Sequence, residues 1–148
     1  SSFGAVVGSL VVAKDPKIKA AVLTVGGGDI PFIIARSKIG LFKNARVKQM
    51  EFHGIESVDE YEDFISQYVQ TDPLDYAKPT DRDRLYMILA KKDKSVPSAT
   101  QYRLHEKFGS PERSRINGDH VFSLLFTSWL PLSPSRRALN SLVEKLDD

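Results

Sequence analysis

The hydrophobic positions of this chain fall into two kinds of run. Ile18 to Val25 and Arg84 to Ala90 are apolar or β-branched at nearly every position, which predicts strands buried on both faces, with Arg113 to Ile116 as a short third strand. Elsewhere the apolar residues recur at helical spacing. Ala5 to Lys14 carries Val6, Val7, Leu10, Val11 and Val12 on almost every side and predicts a helix buried all round. Ile33 to Met50 predicts one helix with Ile39, Phe42, Val47 and Met50 near one face and Arg36, Lys38, Lys43, Arg46 and Lys48 on a solvated basic surface. Ser57-Val58-Asp59-Glu60 reads as a capping box opening a helix whose stripe is Tyr61, Phe64, Ile65 and Tyr68 and which stops near Thr71-Asp72-Pro73. A helix from Ser98 to Phe108 should close on Gly109, and two more should span Val121 to Leu130 and Ser133 to Leu146, the last capped by Ser133 with Pro134 behind it.

Strand, helix, strand, helix, strand, helix is the order of an α/β domain with a parallel sheet. Residues 30 to 80 contain no strand signal and read as a helical insertion over the sheet edge. Composition then acts by exclusion. A chain of 148 residues suffices for one domain with one core, and a net charge of +2 gives no broad electrostatic case for nucleic acid or an anionic membrane. With no cysteine there is no disulfide, thiolate nucleophile or cysteine-based metal site. No apolar run approaches the roughly 20 residues of a membrane span. Gly26-Gly27-Gly28 follows a strand, as phosphate-cradling glycines do, but no G-K-[ST] comes after it and no helix opens on it, so it is read as a flexible strand exit beside a pocket.

Three chemical signals fall on loops leaving the carboxyl ends of strands, where open α/β sheets place their sites. Ser2-Phe3-Gly4-Ala5 running into an apolar helix is the back half of a G-x-S-x-G turn, with Ser2 as nucleophile and the first glycine expected just ahead of Ser1. Gly4 and Ala5 would be small because the turn packs the helix start against neighbouring strands. A hydroxyl is a poor nucleophile until a base takes its proton; His120 is the expected base, and Asp93 the carboxylate that fixes its tautomer. His53 and His105 are competitors for the base, and both read as surface or lid residues.

Ser2-Phe3-Gly4-Ala5, Asp93-Lys94-Ser95-Val96-Pro97 and Gly118-Asp119-His120 resemble the nucleophile elbow, the D-x-x-V-P acid loop and the histidine loop of the α/β-hydrolase superfamily. Asp72-Pro73-Leu74-Asp75-Tyr76-Ala77 resembles the approach to the acid strand in dienelactone-hydrolase and esterase-like members. The sequence departs from that pattern at Asp119, where a second glycine is often found. The resemblance implies that residues 1–148 form the second half of an α/β-hydrolase fold, with parallel strands, flanking helices and residues 30 to 80 as a cap. It implies a serine hydrolase, foremost a carboxylic-ester hydrolase working through an acyl-enzyme, with a Ser2–Asp93–His120 triad and the backbone amide of Phe3 as one oxyanion donor. The second donor would come from the amino-terminal half of the same domain, against which this carboxyl-terminal portion is expected to pack and without which its first helix would lose one wall of its burial. The substrate would be a small ester or related acyl compound, with Ile30 and Phe32 lining its pocket and no metal or organic cofactor required. Two other readings stay open. One is an N-terminal-nucleophile hydrolase using Ser1 and its own amine, a class built on stacked antiparallel sheets. The other is a non-catalytic binding module on the hydrolase scaffold.

Overall fold

A computed structural model of the chain describes residues 1–80, 84–128 and 133–146, the side chain of Ser128 excepted. Helix α1 (Phe3–Lys14) leads into strand β1 (Ala21–Thr24), and four helices follow: α2 (Ile30–Arg36), α3 (Gly40–His53), α4 (Val58–Ser66) and α5 (Pro73–Tyr76). Strand β2 (Leu85–Ala90), helix α6 (Ser98–Lys107), strand β3 (Glu112–Ile116) and helices α7 (His120–Ser128) and α8 (Pro134–Glu144) complete the order. The sheet is parallel throughout, in the order β1-β2-β3, with Ala21 opposite Leu85 and Tyr86 opposite Glu112. The expected end of the α7 helix at Leu130 lies outside the described residues.

Strand β2 is central, and its alternation sorts the layers. Leu85, Met87 and Leu89 point into a core with Ala5 and Val12 of α1, Leu23 of β1, and Leu104 and Phe108 next to or within α6. Tyr86 faces the other way, towards Ala138 and Arg137 of α8, and its hydroxyl meets that of Ser114 at 2.6 Å. Helices therefore cover both faces, which is why β2 reads as an unbroken apolar run rather than an alternating one.

Several expectations need correction. Strand β1 starts at Ala21 rather than Ile18, because the Ile18 carbonyl is taken by the Arg84 guanidinium, at 2.8 Å from Nε, instead of by a strand neighbour. Helix α1, by contrast, has the one uncovered wall expected of it: Ala5, Val6, Ser9 and Val12 are covered, whereas Phe3 is 75% exposed and Val7 and Val11 are also exposed. The long helix expected from Ile33 to Met50 is two. At Ser37 the hydroxyl donates to the Ser95 carbonyl (2.6 Å) and accepts from Ile39 (3.2 Å), while the Lys38 amide donates to Lys94 (2.8 Å). These bonds to a distant loop hold Ser37 at φ −58°, ψ 140°, outside the helical region. None of the residues of α3 is buried, so the apolar face expected there is not a core face. The basic residues are only partly solvated: Arg36 pairs with Asp59 and Glu62, and Arg46 donates to the Ala35 carbonyl at 2.5 Å. The capping box is half formed. Ser57 accepts from the Glu60 amide (3.1 Å), but the Glu60 carboxylate turns one residue further out, to the Glu56 amide (3.0 Å).

His105 is not a surface residue. Its ring is buried on α6, Nε2–H donating to the Pro111 carbonyl (2.9 Å) and Nδ1 accepting from Arg113 (3.0 Å). The Arg113 contact requires the neutral ring, with its lone pair on Nδ1. Burial holds its pKa below the ordinary 6.5, and the Arg113 charge acts the same way against the opposing pulls of the Pro111 carbonyl and Glu106. In the unfolded chain the ring protonates near 6.5, so below that pH the unfolded state binds more protons. The neutral ring's contribution to stability is thus complete above about pH 6.5 and is lost as the pH falls through the lower folded value. Urea midpoints measured across that window should fall with acidification, and His105→Gln, which can still donate to Pro111, should flatten this part of the slope.

Candidate active site

Because the strands are parallel, their carboxyl ends lie on one edge of the sheet, and the ladder continues into the loops. Val25 donates to Ile88 (2.8 Å), Lys91 to Ile116 (2.9 Å) and Lys92 to Gly118 (3.1 Å), so the loops after β2 and β3 leave side by side. The Ser2 amide donates to Thr24 (2.9 Å), which sets the start of α1 at the end of β1.

Ser2 has φ 51° and ψ −128°, a region that residues with side chains seldom occupy. A conformation of this kind costs about 1–3 kcal/mol and persists only where neighbours over-determine it. Here the Ser2 carbonyl accepts from both Ala5 (2.8 Å) and Val6 (3.1 Å), and its amide is held by Thr24. The close approach behind the turn is between Gly26 and Ala5: a Cβ on Gly26 would stand 2.6 Å from that of Ala5. A Cβ on Gly4 would meet nothing within 4 Å, so the need for a small residue lies at Ala5 and Gly26, not at Gly4. The next two glycines are packed as well, Gly27 against Val96 and Gly28 against Leu74, rather than forming a flexible exit or a phosphate cradle.

Asp93 is 4% exposed and receives four donors. Ser95 (2.8 Å) and Val96 (3.0 Å) donate backbone amides to Oδ1, while Gln101 Nε2 (3.1 Å) and His120 Nδ1 (2.6 Å) meet Oδ2. His120 opens α7. Asp119 caps that helix by accepting from the Phe122 amide (2.9 Å), which accounts for an aspartate at the position where the resembled loop often has glycine. From there His120 Nε2 lies 2.8 Å from Ser2 Oγ. The structure thus brings Ser2, His120 and Asp93 into one hydrogen-bonded chain, although 118 residues separate the first two in sequence. If Asp93 accepts at Nδ1–H, Nε2 is left with its lone pair towards the hydroxyl, the tautomer a general base needs. Phe3, the first residue of α1, carries one of the amides that a helix leaves without an internal acceptor.

Gln101 had no signal in the sequence, since a glutamine inside a helix usually faces water. Here it is fully buried: its amide donates to Asp93 and to the Val96 carbonyl (2.9 Å) and its oxygen accepts from the Ala90 amide (2.9 Å), tying strand, acid loop and helix together. Gln101→Leu leaves those three groups short of a partner and should cost about 2–4 kcal/mol in urea unfolding. Ile30 and Phe32 stand in the first turn of α2, and neither lines the cavity of about 790 Å³ that reaches His120. The Phe32 ring carries the guanidiniums of Arg36 (4.3 Å) and Arg103 (4.7 Å) over it. His53 ends α3 exposed, against the Phe52 and Phe64 rings. Among the described residues no three His, Cys, Asp or Glu side chains converge as metal ligands would, and no helix is long and apolar enough to cross a membrane.

No family model matches the sequence, and no curated protein sequence resembles it significantly. Solved structures do. An acylaminoacyl peptidase of Pyrococcus horikoshii superposes over 97% of this chain with a TM-score of 0.55 at 18% identity. The esterase Pf2001 of Pyrococcus furiosus covers 97% of it with a TM-score of 0.51 at 16% identity. The chain has the α/β-hydrolase fold. An acylaminoacyl peptidase bound to Z-Gly-Gly-Phe-chloromethyl ketone matches 99% of it with a TM-score of 0.51 at 20% identity. The chain spans 21% of the first of these proteins, 22% of the third and 50% of the esterase. The described residues that share this fold are three neighbouring parallel strands, their helices and the helices between β1 and β2.

Proposed function

We propose that the chain carries the reacting groups of a serine hydrolase that cleaves carboxylic esters through an acyl-enzyme. The observation that carries this reading is the hydrogen-bonded chain from Ser2 Oγ through His120 to Asp93. In the proposed reaction Ser2 Oγ attacks the ester carbonyl as its proton passes to His120 Nε2, and the tetrahedral oxyanion takes a hydrogen bond from the Phe3 amide. Collapse breaks the bond to the alkoxy oxygen, which leaves as the alcohol with the proton from His120. Water then repeats the sequence on the acyl-enzyme, releasing the acid and restoring Ser2. Asp93 keeps the imidazole oriented and balances the imidazolium charge. Ile30, half-buried at the head of α2, is our candidate for the acyl side of the pocket, with Phe32 acting as the clamp between α2 and α6. We take residues 30 to 80 as a cap over the site.

The amino-terminal half of the same domain is the partner this reading calls for. Exposed Phe3, Val7 and Val11 on α1, beside β1 at the end of the sheet order, support a seat for it, as does the greater length of the similar hydrolases. The parallel strands speak against the N-terminal-nucleophile alternative, whose sheets run antiparallel. Fluorophosphonate labelling of the full chain followed by peptide mapping tests the proposal. An adduct on Ser2 is expected; an adduct on Ser1 would favour the alternative, and no adduct would leave a binding module.

A further inference from the structure

The cavity that reaches His120 has a one-sided charge. Its wall is formed by Lys38, Lys91, Lys92 and Lys94, against which stand the carboxylates of Asp93 and Asp119. Asp93's side chain has no exposure and is spent on His120, Gln101 and two amides, and Asp119 is engaged as the cap of α7. The solvent side of this cavity thus presents four exposed lysines against the one exposed carboxylate of Asp119, in a chain whose net charge is only +2. None of the four has a carboxylate within 4.0 Å among the described residues. Their backbone is fixed, because Lys38 is bonded to Lys94, Lys91 to Ile116 and Lys92 to Gly118. The same bonds that break the α2–α3 helix thus bring a lysine of the insertion across to the lysines of the acid loop. Like charges gathered this way repel one another, and an anion between them relieves the repulsion; a cleft lined by one sign of charge also raises the local concentration of the opposite ion.

We infer that this cavity receives an anionic group of the substrate, a carboxylate or a phosphate, carried at a distance from the carbonyl that Ser2 would attack. The inference rests on the hydrolase reading of Ser2, His120 and Asp93 and names the substrate class for it: acyl compounds bearing a negative charge. His120 forms part of the cavity wall and touches Ser2 Oγ with Nε2, so the cavity adjoins the nucleophile through the imidazole.

Two 4-nitrophenyl esters of the same length separate the possibilities on the full chain: the pentanoate, which is neutral, and the mono-ester of glutaric acid, which ends in a carboxylate. At low ionic strength kcat/KM for the glutarate mono-ester should exceed that for the pentanoate by about tenfold, and the ratio should fall towards one in about 0.5 M salt, where screening acts within about 4–5 Å. The variant K38A/K91A/K94A should bring the ratio to within about twofold of one at low salt, since each exposed charge contributes a modest share. Equal turnover of the two esters by the unaltered protein, or a ratio untouched by the three substitutions, would overturn the inference while leaving the hydrolase reading in place. If neither ester is cleaved, calorimetric titration with glutarate still decides: salt-sensitive binding lost in the triple variant supports the anion site, and no binding overturns it.

Discussion

Ser2→Ala is expected to lower ester turnover about 10⁴-fold or more, with the fold intact. The size follows from the division of labour in a serine–histidine–aspartate site: once the nucleophile is gone, what remains is binding and oxyanion stabilisation, and further loss of the base or the acid then changes little. Stability should hardly move. The strained turn is fixed by the Ser2 amide on Thr24 and by the Ser2 carbonyl on Ala5 and Val6, none of which involves the hydroxyl. Alanine is no worse than serine at φ 51°. Thermal unfolding and a nitrophenyl-ester assay on the same preparations check both halves. Ser1→Ala serves as the paired control and should stay within about threefold of the parent, because Ser1 is exposed and lies outside the bonded chain. If the two losses come out exchanged, the N-terminal amine is the base and the proposed mechanism fails.

Asp93→Asn should cost about 10⁴-fold in kcat, a loss of the size known for removing the charge of a triad aspartate. The local geometry makes the substitution awkward in either orientation. With the asparagine oxygen kept on Ser95 and Val96, its NH₂ faces both His120 Nδ1 and the amide nitrogen of Gln101. It can donate to Nδ1 only by pushing the imidazole proton to Nε2, where it opposes attack by Ser2, and it then meets Gln101 donor to donor. Turned the other way, the NH₂ confronts the Ser95 and Val96 amides. A pH–rate profile in which activity recovers towards alkaline pH without reaching the parent value would fit the wrong tautomer; an unchanged profile would remove Asp93 from the mechanism.

Much of the architecture was legible because it depends on short-range pattern. The β2 run is apolar at every position since helices cover both its faces, and Gly109 and Ser133 mark helix ends whose requirements are local. The Ser2, Asp93 and His120 positions were legible for a related reason: parallel strands bring their exits together whatever the intervening length. What was missed depends on contacts between distant segments. The break at Ser37 comes from bonds to the acid loop, and a window of sequence around Ser37 contains none of them. His105 and Gln101 carry polar labels that normally mean solvent, and only Pro111, Arg113 and the acid loop turn them into buried fixtures.

Helix α3 gives none of its 14 residues to the interior. Substitutions, and even changes in its length, should therefore leave the strands and the three reacting groups almost untouched in energy, since surface changes away from such features usually cost within about 0.5 kcal/mol. Its amides should also be among the first to exchange with heavy water, because it can open without exposing a buried core. This is the segment in which such a protein can drift, or be re-tailored, at little risk to the three groups joined at the sheet edge.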